Sequence, residues 1–384
     1  MTNIRTLQIV GDSSYGGGGY LLLRWCAYLS SRGWDVDVLA TDRAVVAELE
    51  KIEHVHVIKH LLIPREIIPL QDFSVFFKLI NWLNREKYDV VHTYTATPSF
   101  LGRMAARLTG VPVIVHHQAG WTVTDFSSPM ERFIYTPLEY MATLASTRGI
   151  CVSHAIKQQA ALLHIAPLHK LVTICNGIDS QPFIAASPKR AIFRNMLKIH
   201  GDCLVIGGTG RLSSQKDNAS LIRGAACLRK ILPNLKFQVL FAGDGPDLSQ
   251  LEALTRELYL TKHIRFLGFW REIPEFLAAI DIFVSPTLRE GLSISILEAM
   301  AAEKPIVATS IAPNCELIEN GITGLLTPVK SPEKIAEAIV RFVSEPGLAN
   351  KCSTEARTKV LKKYTLDRMF QETLDLYLEL LSSK

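Results

Sequence analysis

No stretch of the chain reaches about 18 uninterrupted apolar residues, so the sequence predicts no membrane-spanning helix. It holds no CxxC pair either. The seven cysteines, Cys26, Cys151, Cys175, Cys203, Cys227, Cys315 and Cys352, are scattered and odd in number, and most stand among apolar neighbours. That argues against a disulfide framework and for reduced core thiols in a cytoplasmic protein. The N-terminal "MTNIRTLQIVGD" runs straight into an expected strand, so no secretory leader is expected. No dense Lys/Arg block with interleaved aromatics occurs, which argues against a nucleic-acid partner. The net charge of +5 is small and fits anionic small ligands or an anionic membrane surface. Internal repeats and low-complexity tracts are absent. A GxGxxG fingerprint with its spaced acidic partner is missing, and so is GxxxxGK[ST], so neither a dinucleotide fingerprint nor a P-loop is indicated.

What is present is alternation. The 384 residues are too many for one ordinary core, and two domains are expected. A hydrophobic share of 48% against 21% charged reads as globular. Short apolar strands are expected at 6–12, 34–41, 88–94, 111–117 and 149–153. Helical spacing separates them, at 19–31, 73–87, 99–110 and 129–145. The segment 176–200, with its glycine, two prolines and polar residues, breaks the rhythm. The alternation then restarts with strands at 203–209, 236–243, 263–269, 281–286 and 305–309. Such a pattern implies an α/β chain with parallel sheets covered by helices on both faces. The expected division is a first domain at 1–182, a linker at 183–199 and a second domain at 200–364. The helical segment 365–384 packs back across them.

Ligands of an open parallel sheet bind beyond the C-terminal strand ends, and three unusual stretches fall there. "GDSSYGGGGY" places Gly16, Gly17 and Gly18 before a helix, where glycine admits close ligand approach and the helix start favours an anion. A tight strand-to-helix turn is the plainer reading. "GGTGRLSSQKD" sets Arg211 and Lys216 five apart in a loop leading into a helix. They form either a diphosphate clamp or a solvated basic loop. "LREGLSISILEAMAAE" puts Glu290 in a loop and Glu298 in the following helix. Amides near Leu292 to Ile294 can bind phosphate, and a carboxylate can accept from two neighbouring sugar hydroxyls. The alternative is one surface and one helix-face glutamate, but Glu298 is flanked by Ile296, Leu297, Ala299 and Met300, which favours partial burial.

The run "EGLSISILEAMAAEKPIVAT" resembles the signature of retaining glycosyltransferase family 4, with the GT-B fold. Further segments follow in the family's order: "GDSSYGGGG", "YDVVHTYT", "CNGID", "GGTGRLSSQKD", "FAGDGPD", "FLGF" and "NCELIENGITGLL". Together they span nearly the whole chain. The resemblance implies two Rossmann-like parallel-sheet domains facing across a cleft. It implies that Arg211 and Lys216 neutralise the diphosphate of a nucleotide sugar in place of a metal ion, with no cofactor required. Glu298 would accept the ribose hydroxyls, Glu290 would contact the transferred sugar, and Gly291, Leu292, Ser293 and Ile294 would hold the distal phosphate. Gly16 to Gly18 would approach from the other domain, and Phe269, Trp270 and Arg271 would lie near the base.

Two departures stand out. Tyr94 replaces the second histidine of the family's DVVHxH strand. Ala119 stands where the family carries a histidine after the next strand. His117, two residues earlier and on the same face, is the candidate replacement. His116 and His117 could equally be strand-end residues with ordinary hydrogen bonds. The implied activity is transfer of a hexose or N-acetylhexosamine, from a donor that is most commonly UDP-linked. The acceptor is a hydroxyl of a lipid-linked glycan or of a small polyol. A sugar-nucleotide epimerase and a non-catalytic nucleotide-sugar-binding subunit are the alternatives. A lipid-linked acceptor would bring peripheral membrane contact, with region 59–87 as the candidate surface or, more simply, as core packing plus a solvated helix face.

Overall fold

Each run of alternation closes into its own sheet. The computed structural model describes residues 4–11, 16–61, 69–94, 96–124, 127–199 and 201–383. The chain divides into two units, Met1–Cys175 with Met369–Lys384, and Asn176–Arg368.

The first unit holds seven strands: β1 (Arg5–Gly11), β2 (Asp35–Ala40), β3 (Val55–Val57), β4 (Val90–Thr93), β5 (Val113–Gln118), β6 (Arg148–Cys151) and β7 (Leu171–Thr173). Their order is β3-β2-β1-β4-β5-β6-β7, parallel throughout. Burial at every residue of β4, and at all of β2 but Asp35, is that of parallel strands covered on both faces. One face is closed by a cluster that includes Leu7, Ile9, Leu79, Leu83, Val91, Ala105 and Ile114.

The second unit holds β8 (Leu204–Thr209), β9 (Phe237–Ala242), β10 (Ile264–Phe266), β11 (Ile282–Ser285), β12 (Ile306–Thr309) and β13 (Leu325–Thr327). Their order is β10-β9-β8-β11-β12-β13, again parallel. The helices Asn218–Ile231 and Pro332–Ser344 share one core cluster. Ile335, Ile339 and Phe342, at helical spacing, meet Leu221, Ala225 and Leu228 there. Gly224 lets the two helices approach closely, since a Cβ there would lie 3.1 Å from the Pro332 carbonyl oxygen.

The linker expected at 183–199 is instead folded into the second unit. Helices Gln181–Ala186 and Arg190–Met196 occupy it. Pro182 and Pro188 stand in the first turn of a helical segment, where proline's missing N–H costs nothing, so they begin structure rather than break it. Arg190 donates to the Ile280 carbonyl (2.8 Å) and to Asp281, and Arg194 reaches Asp281 Oδ2 (3.2 Å). The Asp281 carboxylate also accepts from the Val205 amide (2.7 Å), so one side chain pins this helix to β8 and β11. The strands β3, β7 and β13, which the sequence pattern misses, are sheet edges of three residues each. All seven cysteines are free, and Cys315 is exposed.

Candidate functional site

In the second unit β8 lies between β9 and β11, so the chain winds outward in opposite directions from the β8/β11 pair. This is the switch point where an open parallel sheet leaves a crevice beyond its strand ends. Four loops are stitched into a rim there. Gly243, after β9, bridges to Gly268, after β10. A Cβ on Gly243 would fall 1.9 Å from the Gly210 carbonyl oxygen, so only glycine lets the β9 and β8 loops touch. The Gly210 amide donates to Ala242 O (3.1 Å) and the Leu212 amide to Asp244 O (2.9 Å). On the other side the Leu288 amide donates to Gln215 O (2.8 Å), and Gln215 Nε2 donates to Arg289 O (2.8 Å).

The charged residues sit on this rim. Lys216 Nζ and Glu290 Oε1 form an ion pair with both side chains largely buried. Arg211 is exposed, and its guanidinium has no hydrogen-bond or ion-pair partner among the described residues. Glu298 lies in the first turns of the helix Ile294–Ala301. Burial pushes its carboxyl up to about 8, while the neighbouring Lys216 charge pulls the other way. Its carboxylate makes no hydrogen bond among the described residues. A half-buried acid facing a lysine, with its acceptor oxygens unused, is built to receive donors from elsewhere.

The helix start differs from the sequence expectation by about one residue. Ser293 is the N-cap and accepts from the Ile296 amide (3.4 Å), so the helix begins at Ile294. Ile294 and Ser295 carry the amides without intrahelical acceptors, whereas Leu292 and Ser293 are buried. The Leu292 carbonyl accepts from Asn176 Nδ2 (3.3 Å), which ties the "CNGID" segment to this loop. Phe269 is exposed after β10, and Trp270 Nε1 donates to Glu272 O (3.1 Å). Arg271 is exposed in the same turn.

In the first unit, Gly16 is the N-cap of the helix Gly17–Ser30, and a Cβ on Gly18 would meet nothing within 4 Å. The two histidines of β5 diverge. His116 is buried, with Nδ1 against the Thr93 carbonyl (3.0 Å) and Ser99 Oγ (2.8 Å), and burial holds it neutral. His117 points to the other sheet face, beside the rings of Tyr94 (5.5 Å) and His92 (6.0 Å). Tyr94 donates to Gln8 Oε1 (2.7 Å), and His92 Nδ1 bonds Tyr377 of the C-terminal helix. Ala119 is exposed. The sequence reading named His117 and Tyr94 but missed their neighbours Gln8 and Tyr377, and also Thr287, Thr309 and Asn314 behind the second-unit rim. Thr309 and Asn314 carried a hint only by standing at the ends of "EGLSISILEAMAAEKPIVAT" and "NCELIENGITGLL".

Comparison with known proteins agrees with this geometry. The family described as "Glycosyltransferase Family 4" matches residues 15–181, and "Glycosyl transferases group 1" matches residues 189–359. The UDP-Gal:alpha-D-GlcNAc-diphosphoundecaprenol alpha-1,3-galactosyltransferase of Escherichia coli is 30% identical over 324 residues, covering 83% of each chain. The capsular polysaccharide biosynthesis glycosyltransferase CapM of Staphylococcus aureus is 24% identical, covering 91% of each. Among solved structures, Anabaena Alr3699/HepE in complex with UDP and glucose superposes with a TM-score of 0.83 at 20% identity over the full length of both chains. WaaG, a glycosyltransferase involved in lipopolysaccharide biosynthesis, does so with a TM-score of 0.78 at 17% identity, covering 97% of this chain and 99% of its own. With two parallel α/β units in the GT-B arrangement of strands and a charged rim at the second sheet's switch point, the chain belongs to the family 4 glycosyltransferases.

Proposed function

We propose that the second unit binds a nucleotide sugar, commonly UDP-linked, and that the enzyme transfers its hexose or N-acetylhexosamine with retention to a lipid-linked glycan. The observation that carries this reading is the grouping of Arg211, Lys216, Glu290 and Glu298 on one rim at the switch point. Two cations match a diphosphate and take the place of a metal ion. Glu298 accepts the paired ribose hydroxyls, and the amides of Ile294 and Ser295 receive the distal phosphate. Glu290 orients the sugar hydroxyls, and Phe269 to Arg271 border the base.

In a same-face transfer the bond from the sugar's anomeric carbon to the phosphate oxygen breaks as the bond to the acceptor oxygen forms. The acceptor proton passes to the leaving phosphate oxygen. The protein's contribution is then positioning and stabilisation of diphosphate charge. On the first unit, His117 beside Tyr94 takes the role vacated at Ala119, and the helix start at Gly16 to Gly18 lets a ligand come close to the backbone.

The lipid-linked acceptor follows the E. coli relative, a galactosyltransferase named for GlcNAc-diphosphoundecaprenol. An apolar surface on the first unit suits it. The helix Pro129–Ala145 exposes Met130, Phe133, Ile134, Leu138, Met141 and Leu144 at helical spacing, with Phe133 80% exposed. Of region 59–87, residues 62–68 lie outside the described residues; the helix Pro69–Glu86 buries Val75, Leu79 and Leu83 and, among its described side chains, exposes Phe73 and Phe77, which fits core packing plus a solvated face. No helix of the described residues is long and apolar enough to cross a membrane. The test is a mass-spectrometric screen of UDP-sugars with and without a sugar diphosphate lipid. Free UDP and an extended lipid should appear together. An epimerised donor, or no turnover with any donor, contradicts the reading.

A further inference from the structure

Behind the charged rim runs a buried relay that no catalytic role uses. Asn314 Nδ2 donates to the Thr309 carbonyl (2.9 Å) and lies 3.3 Å from Thr309 Oγ1. Thr309 Oγ1 in turn donates to the Thr287 carbonyl. Thr287 Oγ1 is shared between the carbonyls of Gln215 and Arg289, 3.1 Å from each. Thr287, Thr309 and Asn314 are at most 1% exposed. The relay therefore crosses from the helix Ala312–Leu317 and the end of β12, through the loop after β11, to the loop after β8. It ends on the residues that immediately precede Lys216 and Glu290. Gln215 Nε2 also donates to Arg289 O (2.8 Å), so the two loops are joined to each other as well as to Thr287.

We infer that Thr287 is a positioning residue for the donor diphosphate, held by Thr309 and Asn314, and that its hydroxyl sets the spacing between the Lys216 and Glu290 loops. Each loop alone is a surface turn with freedom to shift. One O–H shared as a bifurcated donor between the two carbonyls restricts that freedom, so the Lys216 and Glu290 side chains start from loops held at a fixed separation. A buried hydroxyl on a strand-end residue is otherwise costly unless bonded. This relay spends its donors on site loops rather than on strand pairing. The inference rests on the reading of the rim as the donor site.

The experiment titrates UDP calorimetrically into the wild-type protein, Thr287→Val, Thr287→Ser, Lys216→Ala and the Thr287→Val/Lys216→Ala double variant, with melting temperature measured in parallel. Valine keeps the shape and removes the hydroxyl. Thr287→Val should weaken UDP binding about tenfold. Thr287→Ser should restore it. In the Lys216→Ala background the valine should add little, because the lysine it positions is gone. Full additivity with Lys216→Ala, or wild-type affinity in Thr287→Val, overturns the inference. A loss that serine does not rescue also overturns it and assigns Thr287 to packing alone. Absence of UDP binding by the wild-type protein is a different failure, which removes the donor-site reading itself.

Discussion

At the residue scale the rim poses a competition. Lys216 is already neutralised by Glu290, so a diphosphate must share or displace that partner, whereas Arg211 is open to it. Glu290→Gln should therefore abolish sugar transfer, yet leave UDP affinity unchanged or tighter in a direct titration. Weaker UDP binding in that variant would argue that Glu290 helps to hold the phosphates. Glu298 makes a pH prediction. Its carboxyl is raised from an ordinary 4.5 to about 8, so between those values the folded state binds the extra proton and the unfolded state does not. Stability from this group is full below the lower value and is lost as pH rises through the upper one. Thermal melts of Glu298→Gln and wild type should converge near pH 5, with the variant the more stable above pH 8. Accepting two ribose hydroxyls favours the ionised form. UDP binding at pH 7 should thus release protons, seen as a buffer-dependent heat that Glu298→Gln removes. The two glutamates were legible because their spacing and apolar flanks are written in the chain. The Thr287–Thr309–Asn314 relay was not, because a threonine at a strand end looks like any strand former until its partners, far apart in sequence, are brought together.

At the element scale, long strands flanked by helices were readable from apolar runs, and the helix 129–145 has the bounds its pattern implied. The three-residue edges β3, β7 and β13 carry too few residues to show a pattern. The segment after "CNGID" misled because its prolines read as loop, while Pro182 and Pro188 stand at the starts of helical segments. Its anchor is specific: Arg190, Arg194 and the Val205 amide converge on Asp281. Asp281→Ala leaves these donors unmatched and should lower stability by about 2 kcal/mol, read as a reduced denaturation midpoint. UDP affinity should change little, since the anchor lies at the opposite strand ends from the rim. Ser293→Ala removes the cap of the helix bearing Glu298 and should cost about 1 kcal/mol, here with a matching loss in UDP affinity.

At the scale of the whole molecule, each unit has its own sheet and core, and the two carry different surfaces. The second presents charge at its switch point. The first presents an apolar helix stripe with one arginine against two glutamates along its length, Arg132 against Glu131 and Glu139. Binding through that stripe would be driven by burial rather than by charge. Vesicle flotation should then be insensitive to salt and should be lost in Phe133→Ser/Met141→Ser. Loss of flotation in high salt with no effect of the double variant would place the contact elsewhere. The central claim is that two fixed cations stand in for a metal at the donor diphosphate, and titration of UDP in the presence of EDTA tests it most directly. Binding should persist in EDTA and weaken about tenfold or more in Arg211→Ala and again in Lys216→Ala, as charge-assisted hydrogen bonds of roughly 1.5–3 kcal/mol imply. UDP binding that vanishes with EDTA, or that survives loss of both cations unchanged, would contradict it.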